Sequence, residues 1–317
     1  MKLPRAALFL TVFLALSLTL AATARAQQDK TLAERLGYAK DARLLIVHDD
    51  DLGFSHSVNA AAIAALESGA ITSASIMVPC PWFPEIAAYA KAHPDADFGL
   101  HLTMTSERVY VRWGPVASRD TVASLVDANG YLRQDWSDAA QINPQEVERE
   151  LRAQVQKALA MGVHPTHLDS HQYRLFENGE KIFAAAVRVA HDYNLPLLIP
   201  KEWVDEHPYL KSRAGPNDIL LDHVVSIEAT VPPSGWNDFY IAALRNLQPG
   251  LTEFIVHLGY DNDEMRAMTR ERDSWGAAWR QRDFDFFTGT EFRKLLAQEN
   301  IKLITWRELG QLAIDKN

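Results

Sequence analysis

Cysteine is almost absent, with Cys80 alone among 317 residues. One thiol excludes an internal disulfide and any cysteine-rich zinc site, so an oxidising compartment would be tolerated rather than exploited. Positive charge is also short: 32 Lys and Arg stand against 41 Asp and Glu, a formal net charge of −9. That balance argues against nucleic acid or an anionic membrane as the main partner and fits a neutral or cationic substrate. Long apolar runs are missing beyond the N-terminus, where Ala6 to Leu20 follows Lys2 and Arg5 and precedes Ala24-Arg25-Ala26. This is the pattern of a secretory signal, residues 1–26, with the mature chain starting at Gln27. The expectation is a periplasmic or secreted protein with no membrane segment after cleavage, and 27–317 as one domain. Internal repeats, low-complexity tracts and a dividing linker are lacking too.

What is present is a strand-then-helix rhythm. Apolar stretches at 43–48, 72–78, 97–102, 165–169, 195–199, 221–227, 252–257 and 301–305 alternate with helical patterns at 57–68, 84–92, 145–161, 179–193, 236–247 and 289–298. Eight such strands predict an α/β fold, a TIM-barrel-like (β/α) barrel, regular or somewhat irregular. Residues 104–143 break the rhythm and read as a long loop insertion after the third strand, positioned to cover a substrate. The aromatic stretch containing Trp275, Trp279, Phe284, Phe286 and Phe287 reads as a hydrophobic contact or lid anchor.

Chemistry enters at the strand ends. Leu44-Leu45-Ile46-Val47 runs into His48-Asp49-Asp50-Asp51 and then a turn at Gly53. A carboxylate taken from water must be paired or bind a cation. Two further strand ends carry ligand-type residues, His101 in Phe98-Gly99-Leu100-His101-Leu102-Thr103 and His167, Asp169 and His171 in Pro165-Thr166-His167-Leu168-Asp169-Ser170-His171-Gln172. Asp, His and His form a ligand set for zinc and its first-row neighbours that leaves room for a water. A barrel would gather Asp50, Asp51, His101, Asp169, His171 and His257 at one mouth. Trp113, Trp136 and Tyr173 are candidate stacking surfaces there, with ordinary packing the plainer role.

These segments, in their order and spacing, resemble the YdjC-like (ChbG/HpnK) carbohydrate deacetylase family along nearly all of the mature chain. The match rests on Asp50-Asp51-Leu52-Gly53-Phe54-Ser55, Asn59, Gly69 with Thr72-Ser73-Ala74-Ser75, Gly99-Leu100-His101-Leu102-Thr103, His167-Leu168-Asp169-Ser170-His171-Gln172, and Glu253 with His257-Leu258-Gly259-Tyr260. The resemblance implies a TIM-barrel-like fold, a divalent metal such as Mg²⁺ or Zn²⁺, and removal of N-acetyl groups from amino sugars or oligosaccharides. It places the general base on Asp50 and the metal on Asp51, His101 and His171. His257 is then the candidate general acid, and His167, Asp169 and Tyr173 stand behind the ligands or against substrate, Asp169 orienting His171 or meeting a sugar hydroxyl. Asp49 occupies a position where the family usually has Ala, so Asp49→Ala is expected to be mild. Leu52, Tyr173 and Leu258 replace a common Phe, a frequent third His and a Pro.

Two other functions compete. A different amidohydrolase or a phosphoesterase on the same barrel would keep the ligands, but a phosphate substrate would call for Arg or Lys, and the motif segments hold no basic residue besides histidine. An inactive exported sugar-binding protein would have no need of both a base and three ligands.

Overall fold

A continuous apolar run buried on both faces is the mark of a central parallel strand, and residues 44–47 supply it. The computed structural model describes residues 30–213 and 219–314; the proposed signal, 1–26, lies outside them. In chain order the strands are β1 Arg43–Leu52, β2 Ser73–Ile76, β3 Phe98–Leu102, β4 Leu168–Ser170, β5 Leu198–Pro200, β6 Ile219–Leu221, β7 His223–Ser226, β8 Gly250–Val256 and β9 Ile301–Leu303. Seven of them form one parallel sheet in the order β4-β3-β2-β1-β8-β7, with β9 also against β1, and β5 pairs with β6 in a second, parallel sheet. A single parallel bridge, Leu168 to Leu197, links β4 to the approach of β5. The result is an α/β fold built on a curled parallel sheet. Among the described residues, no helix is long and apolar enough to cross a membrane.

Eight equal strands do not form, for local reasons. The predicted stretch 221–227 is split at Asp222: Ile219–Leu221 pairs with β5, whereas His223–Ser226 pairs with β8. Asp222 itself accepts a hydrogen bond from the Leu251 N–H at 3.1 Å, and Gly250 beneath it has φ +112, with no room for a Cβ. The expected last strand, β9, pairs only with Arg43–Leu45, so it props the entry end of β1 instead of adding a stave. β1 in turn runs farther than expected, through the acidic triplet to Leu52, with a register shift against β2 between Asp49 and Leu52.

Helices cross over between parallel strands, as parallel pairing requires. Helices His56–Glu67, Phe83–Ala92, Pro144–Ala160, Glu180–Asp192, Trp236–Arg245 and Thr290–Gln298 match the expected ones to within about two residues. A further helix, Ala277–Thr288, occupies the aromatic stretch, with Arg280 and Asp283 on its buried face. The 104–143 segment is irregular, holding three short 3₁₀ turns, yet it is anchored. Glu150 accepts from the Val116 and Ala117 N–H groups at 2.9 and 2.8 Å, while Trp113, Val122, Leu125, Leu132 and Trp136 are buried.

Candidate metal centre and active site

Because every strand is parallel, the C-terminal ends of β1, β3, β4, β7 and β8 open on the same side. There they surround a cavity of about 330 Å³ whose wall includes Asp50, Asp51, His101, His171, Tyr173 and His257. Asp51 adopts φ +72, the left-handed region, which costs a non-glycine residue about 1–2 kcal/mol. The turn that follows is held by Phe54 N–H to the Asp51 carbonyl at 3.1 Å and by Gly53 N–H to Asn59 Oδ1 at 2.7 Å. Ser55 then caps the helix His56–Glu67, accepting from the Val58 N–H. This turn aims the Asp51 carboxylate into the cavity.

Each atom of the Asp51, His101 and His171 group has a settled partner except those facing one another. Asp51 Oδ2 pairs with Arg280, leaving Oδ1 buried and without a hydrogen bond. His101 Nδ1 lies 2.7 Å from Asp169 Oδ1, leaving Nε2 toward Asp51 Oδ1 at 3.5 Å. His171 Nε2 lies 3.1 Å from Glu107 Oε2, leaving Nδ1 toward the same oxygen at 3.3 Å. Ligand atoms around a zinc-sized cation with bonds of about 2.1 Å are separated by about 3.4 Å. The three residues therefore fit a divalent cation, and the carboxylates behind the imidazoles fix their tautomers in the usual way.

The charges agree. Burial opposes ionisation of Asp51, but the Arg280 guanidinium and His171 hold its carboxyl well below the usual range. Burial likewise opposes charge on His171, yet Glu107 and Asp51 lift it to about 10, a site built for positive charge. His101 is raised, against burial, by Asp50 and Asp169. Asp169 is lowered, against burial, by His101 and His48.

Asp50 stands beside this group with different partners. Its Oδ1 accepts from Ser75 Oγ at 3.1 Å and faces His48 Nε2 at 3.2 Å, and its Oδ2 is 4.0 Å from His257 Nε2. Burial lowers His257 to about 4, so its imidazole is neutral at neutral pH. Tyr173 lines the wall in a left-handed conformation shared with Gln172, and its ring packs edge-on against Trp203.

Several expectations need correction. Asp169 orients His101 and His48, not His171, which is served by Glu107. His167 does not reach the ligands: its ring stacks on Trp306 at 4.7 Å, meets His48 edge-on, and fills the space that a side chain at Gly99 would need. His48, His167 and Asp169 are also close enough to share an ion, but they are absent from the cavity wall, unlike Asp51, His101 and His171. Trp113 and Trp136 are packed inside the long loop, and the aromatic ring on the wall beside Tyr173 is Trp275. Basic residues are not missing either. Arg108 and Arg272 line the cavity, though Arg108 is engaged by Glu271 at 3.3 Å and by the Trp275 carbonyl at 3.1 Å. Glu107, Arg108 and Arg280 were missed because they lie outside the strand-end motifs; the one sequence signal was an Arg and an Asp three apart, 280 and 283, inside an aromatic helix.

A carboxylate and two imidazoles held over a cavity at the ends of parallel strands, with a second carboxylate alongside, define a metallohydrolase-type site. The chain belongs to the family described as YdjC-like protein, whose model matches residues 44–298. It is 31% identical over 298 residues to a carbohydrate deacetylase of Thermus thermophilus, covering 88% of this chain and 98% of the relative. It is 29% identical over 255 residues to a chitooligosaccharide deacetylase of Yersinia enterocolitica, covering 69% and 96%. Among solved structures, a protein of Enterococcus faecalis described as a candidate for cellobiose-phosphate cleavage superposes with a TM-score of 0.71 at 22% identity, covering 84% of this chain and 99% of the other, and shares the fold.

Proposed function

We propose that this protein is a metal-dependent carbohydrate N-deacetylase, releasing acetate from acetylated amino sugars or oligosaccharides. The observation that carries the reading is the approach of His101 Nε2 and His171 Nδ1 to one oxygen, Asp51 Oδ1, at 3.5 and 3.3 Å, with every other polar atom of the three side chains engaged elsewhere. The names of the relatives set the substrate class. Two imidazole nitrogens and one oxygen favour zinc or another first-row cation over magnesium, which prefers oxygen.

When bound, the cation would supply Lewis acidity toward the acetyl carbonyl and acidify a water. The residues of the chain do the rest. Asp50, held by Ser75 and His48, takes a proton from the attacking water as it adds to the acetyl carbon. His257 enters neutral, so its N–H donates to the developing oxyanion; the proton on Asp50, 4.0 Å away, then reaches the amine nitrogen through the imidazole as the C–N bond breaks. Trp275 and Tyr173 put aromatic side chains on the wall against which the sugar would lie.

The break at Asp222 and the bridge at Leu168 and Leu197 favour treating the two sheets as the staves of one irregular (β/α) barrel. The Lys2–Ala26 pattern supports export, so mass spectrometry of the mature protein should find Gln27 first. For the function, acetate release is measured on N-acetylglucosamine, chitooligosaccharides and a simple acetamide, and phosphate release on a sugar phosphate. Asp51→Ala, His101→Ala and His171→Ala are each expected to lose metal and acetate release together. Full metal content in any two would overturn the ligand set, and phosphate release without acetate release would move the chemistry to phosphoesters.

A further inference from the structure

β8 ends at Val256, opposite Asp49 of β1, and the next residues carry His257 into the cavity. Backbone N–H groups beyond a ladder need new acceptors. Here both successive N–H groups go to buried carboxylates from different elements. The His257 N–H donates to Asp283 Oδ2 at 2.9 Å, and the Leu258 N–H donates to Asp49 Oδ1 at 2.7 Å. Neither carboxylate has measurable exposure. Taking two carboxyl groups wholly out of water to serve two amides carries a desolvation cost.

The partners make the arrangement rigid. Asp283 Oδ1 also accepts from Trp236 Nε1 at 3.0 Å and from the Tyr240 hydroxyl, both buried side chains of the helix Trp236–Arg245. Arg280, one turn earlier on the same helical face, holds Asp51. The helix can approach because Gly259 has no side chain: a Cβ there would stand 3.1 Å from the Arg280 stem. One helix face thus fixes the metal-ligating carboxylate and the backbone of the candidate acid together.

We propose that Asp49 and Asp283 are positioning residues for the deacetylation step, clamping the backbone of His257 and Leu258 so that the His257 ring stays in reach of Asp50 and the scissile nitrogen. The proposal rests on His257 serving as the acid and oxyanion donor. It reverses the expectation that Asp49→Ala is mild.

The test compares Asp49→Ala, Asp49→Asn, Asp283→Asn and His257→Ala in the metal-loaded protein, reading kcat, KM and metal content. Asp49→Ala should lower kcat about 10–100-fold, with KM and metal content unchanged, as loss of an orienting partner does. Asp49→Asn should restore most of it, because its amide oxygen can accept from Leu258 while Oδ2 of the native residue has no partner to lose. Asp283→Asn should not be benign, since three donors surround two oxygens and the new amide group must face one of them. Asp49→Ala combined with His257→Ala should be no slower than His257→Ala alone, the mark of residues acting as a unit. Near-native kcat in Asp49→Ala, or multiplicative losses in the double variant, would overturn the clamp while leaving His257 in its role. Near-native kcat in His257→Ala would overturn the acid assignment, and the clamp with it. If Asp49→Ala does not fold, Asp283→Asn against Tyr240→Phe decides: Tyr240→Phe removes a donor without touching His257 and should stay within about threefold of native, and equal losses in the two would refute the proposal.

Discussion

Replacing Asp50 by Asn separates the two adjacent carboxylates on which the mechanism depends. The amide oxygen can still accept from Ser75 Oγ, which lies 3.1 Å from Asp50 Oδ1, so the side chain has reason to stay in place. Asp51, His101 and His171 are untouched, and metal content should remain near one per chain. On the proposed mechanism, what is lost is the proton acceptor beside the attacking water. Removal of a general base costs about 10²–10⁴-fold, equivalent to about 3–5 kcal/mol of barrier. The expected result is therefore a fall of that size in kcat, a KM within a few-fold of native, and an unchanged melting temperature in the metal-loaded protein. Acetate release and elemental analysis on the same preparation read both quantities. Near-normal turnover would refute the assignment of the base, and loss of metal would make Asp50 a ligand.

Other outcomes follow from the packing. Gly99→Ala places a Cβ 2.3 Å from His167 Nε2, and that ring is fully buried against Trp306, so the substitution should destabilise by about 1–3 kcal/mol in chemical denaturation; a neutral effect would mean the ring has room to move. Arg280→Met removes the buried partner of Asp51 and should cost the metal-free protein about 3–5 kcal/mol, whereas a change below 1 kcal/mol would show that the pair is solvated. Burial, aided by Asp169 and Asp50, lifts Glu253 to about 8, and its neighbour His48 is also raised. A raised carboxyl pKa favours the protonated folded state, so this stabilisation is complete below the unfolded value near 4.5 and fades as pH climbs through 8. Melting of the metal-free protein should accordingly fall between about pH 5 and 8, and Glu253→Gln should flatten that slope; a parallel slope in the variant would remove Glu253 as its source. Cutting the long loop between 119 and 143 should unfold or loosen the protein rather than change chain-length preference, because Trp113 and Trp136 are packed inside it and only Glu107 and Arg108 reach the cavity from that loop.

The candidate ligands were legible in the sequence because each lies in a contiguous strand-end motif, where an apolar run followed by Asp or His already implies a cation. The parallel α/β order was legible from the alternation for the same reason. The supports of the site were not. Arg280 and Asp283 lie on the buried face of a helix whose apolar residues, Trp279, Phe286 and Phe287, are also buried, so no amphipathic period marks it. Glu107 sits in an irregular loop, and its relation to His171, 64 residues away, exists only once the loop is folded back. Asp49 looked like a surplus charge in an acidic triplet. Its acceptor role depends on the end of a ladder with β8, which no spacing along the chain reveals. The even count of strands failed where one side chain, Asp222, interrupts a stretch that composition reads as continuous.

The central claim, a metal-dependent deacetylase, is tested most directly by acetate release from an N-acetylated chitooligosaccharide before chelation, after chelation, and after zinc is returned, with Asp51→Ala carried through the same cycle. The account predicts that native protein loses turnover on chelation and regains it with zinc, while Asp51→Ala is inactive throughout. Undiminished acetate release from fully chelated native protein, or recovery of Asp51→Ala with zinc, would contradict it.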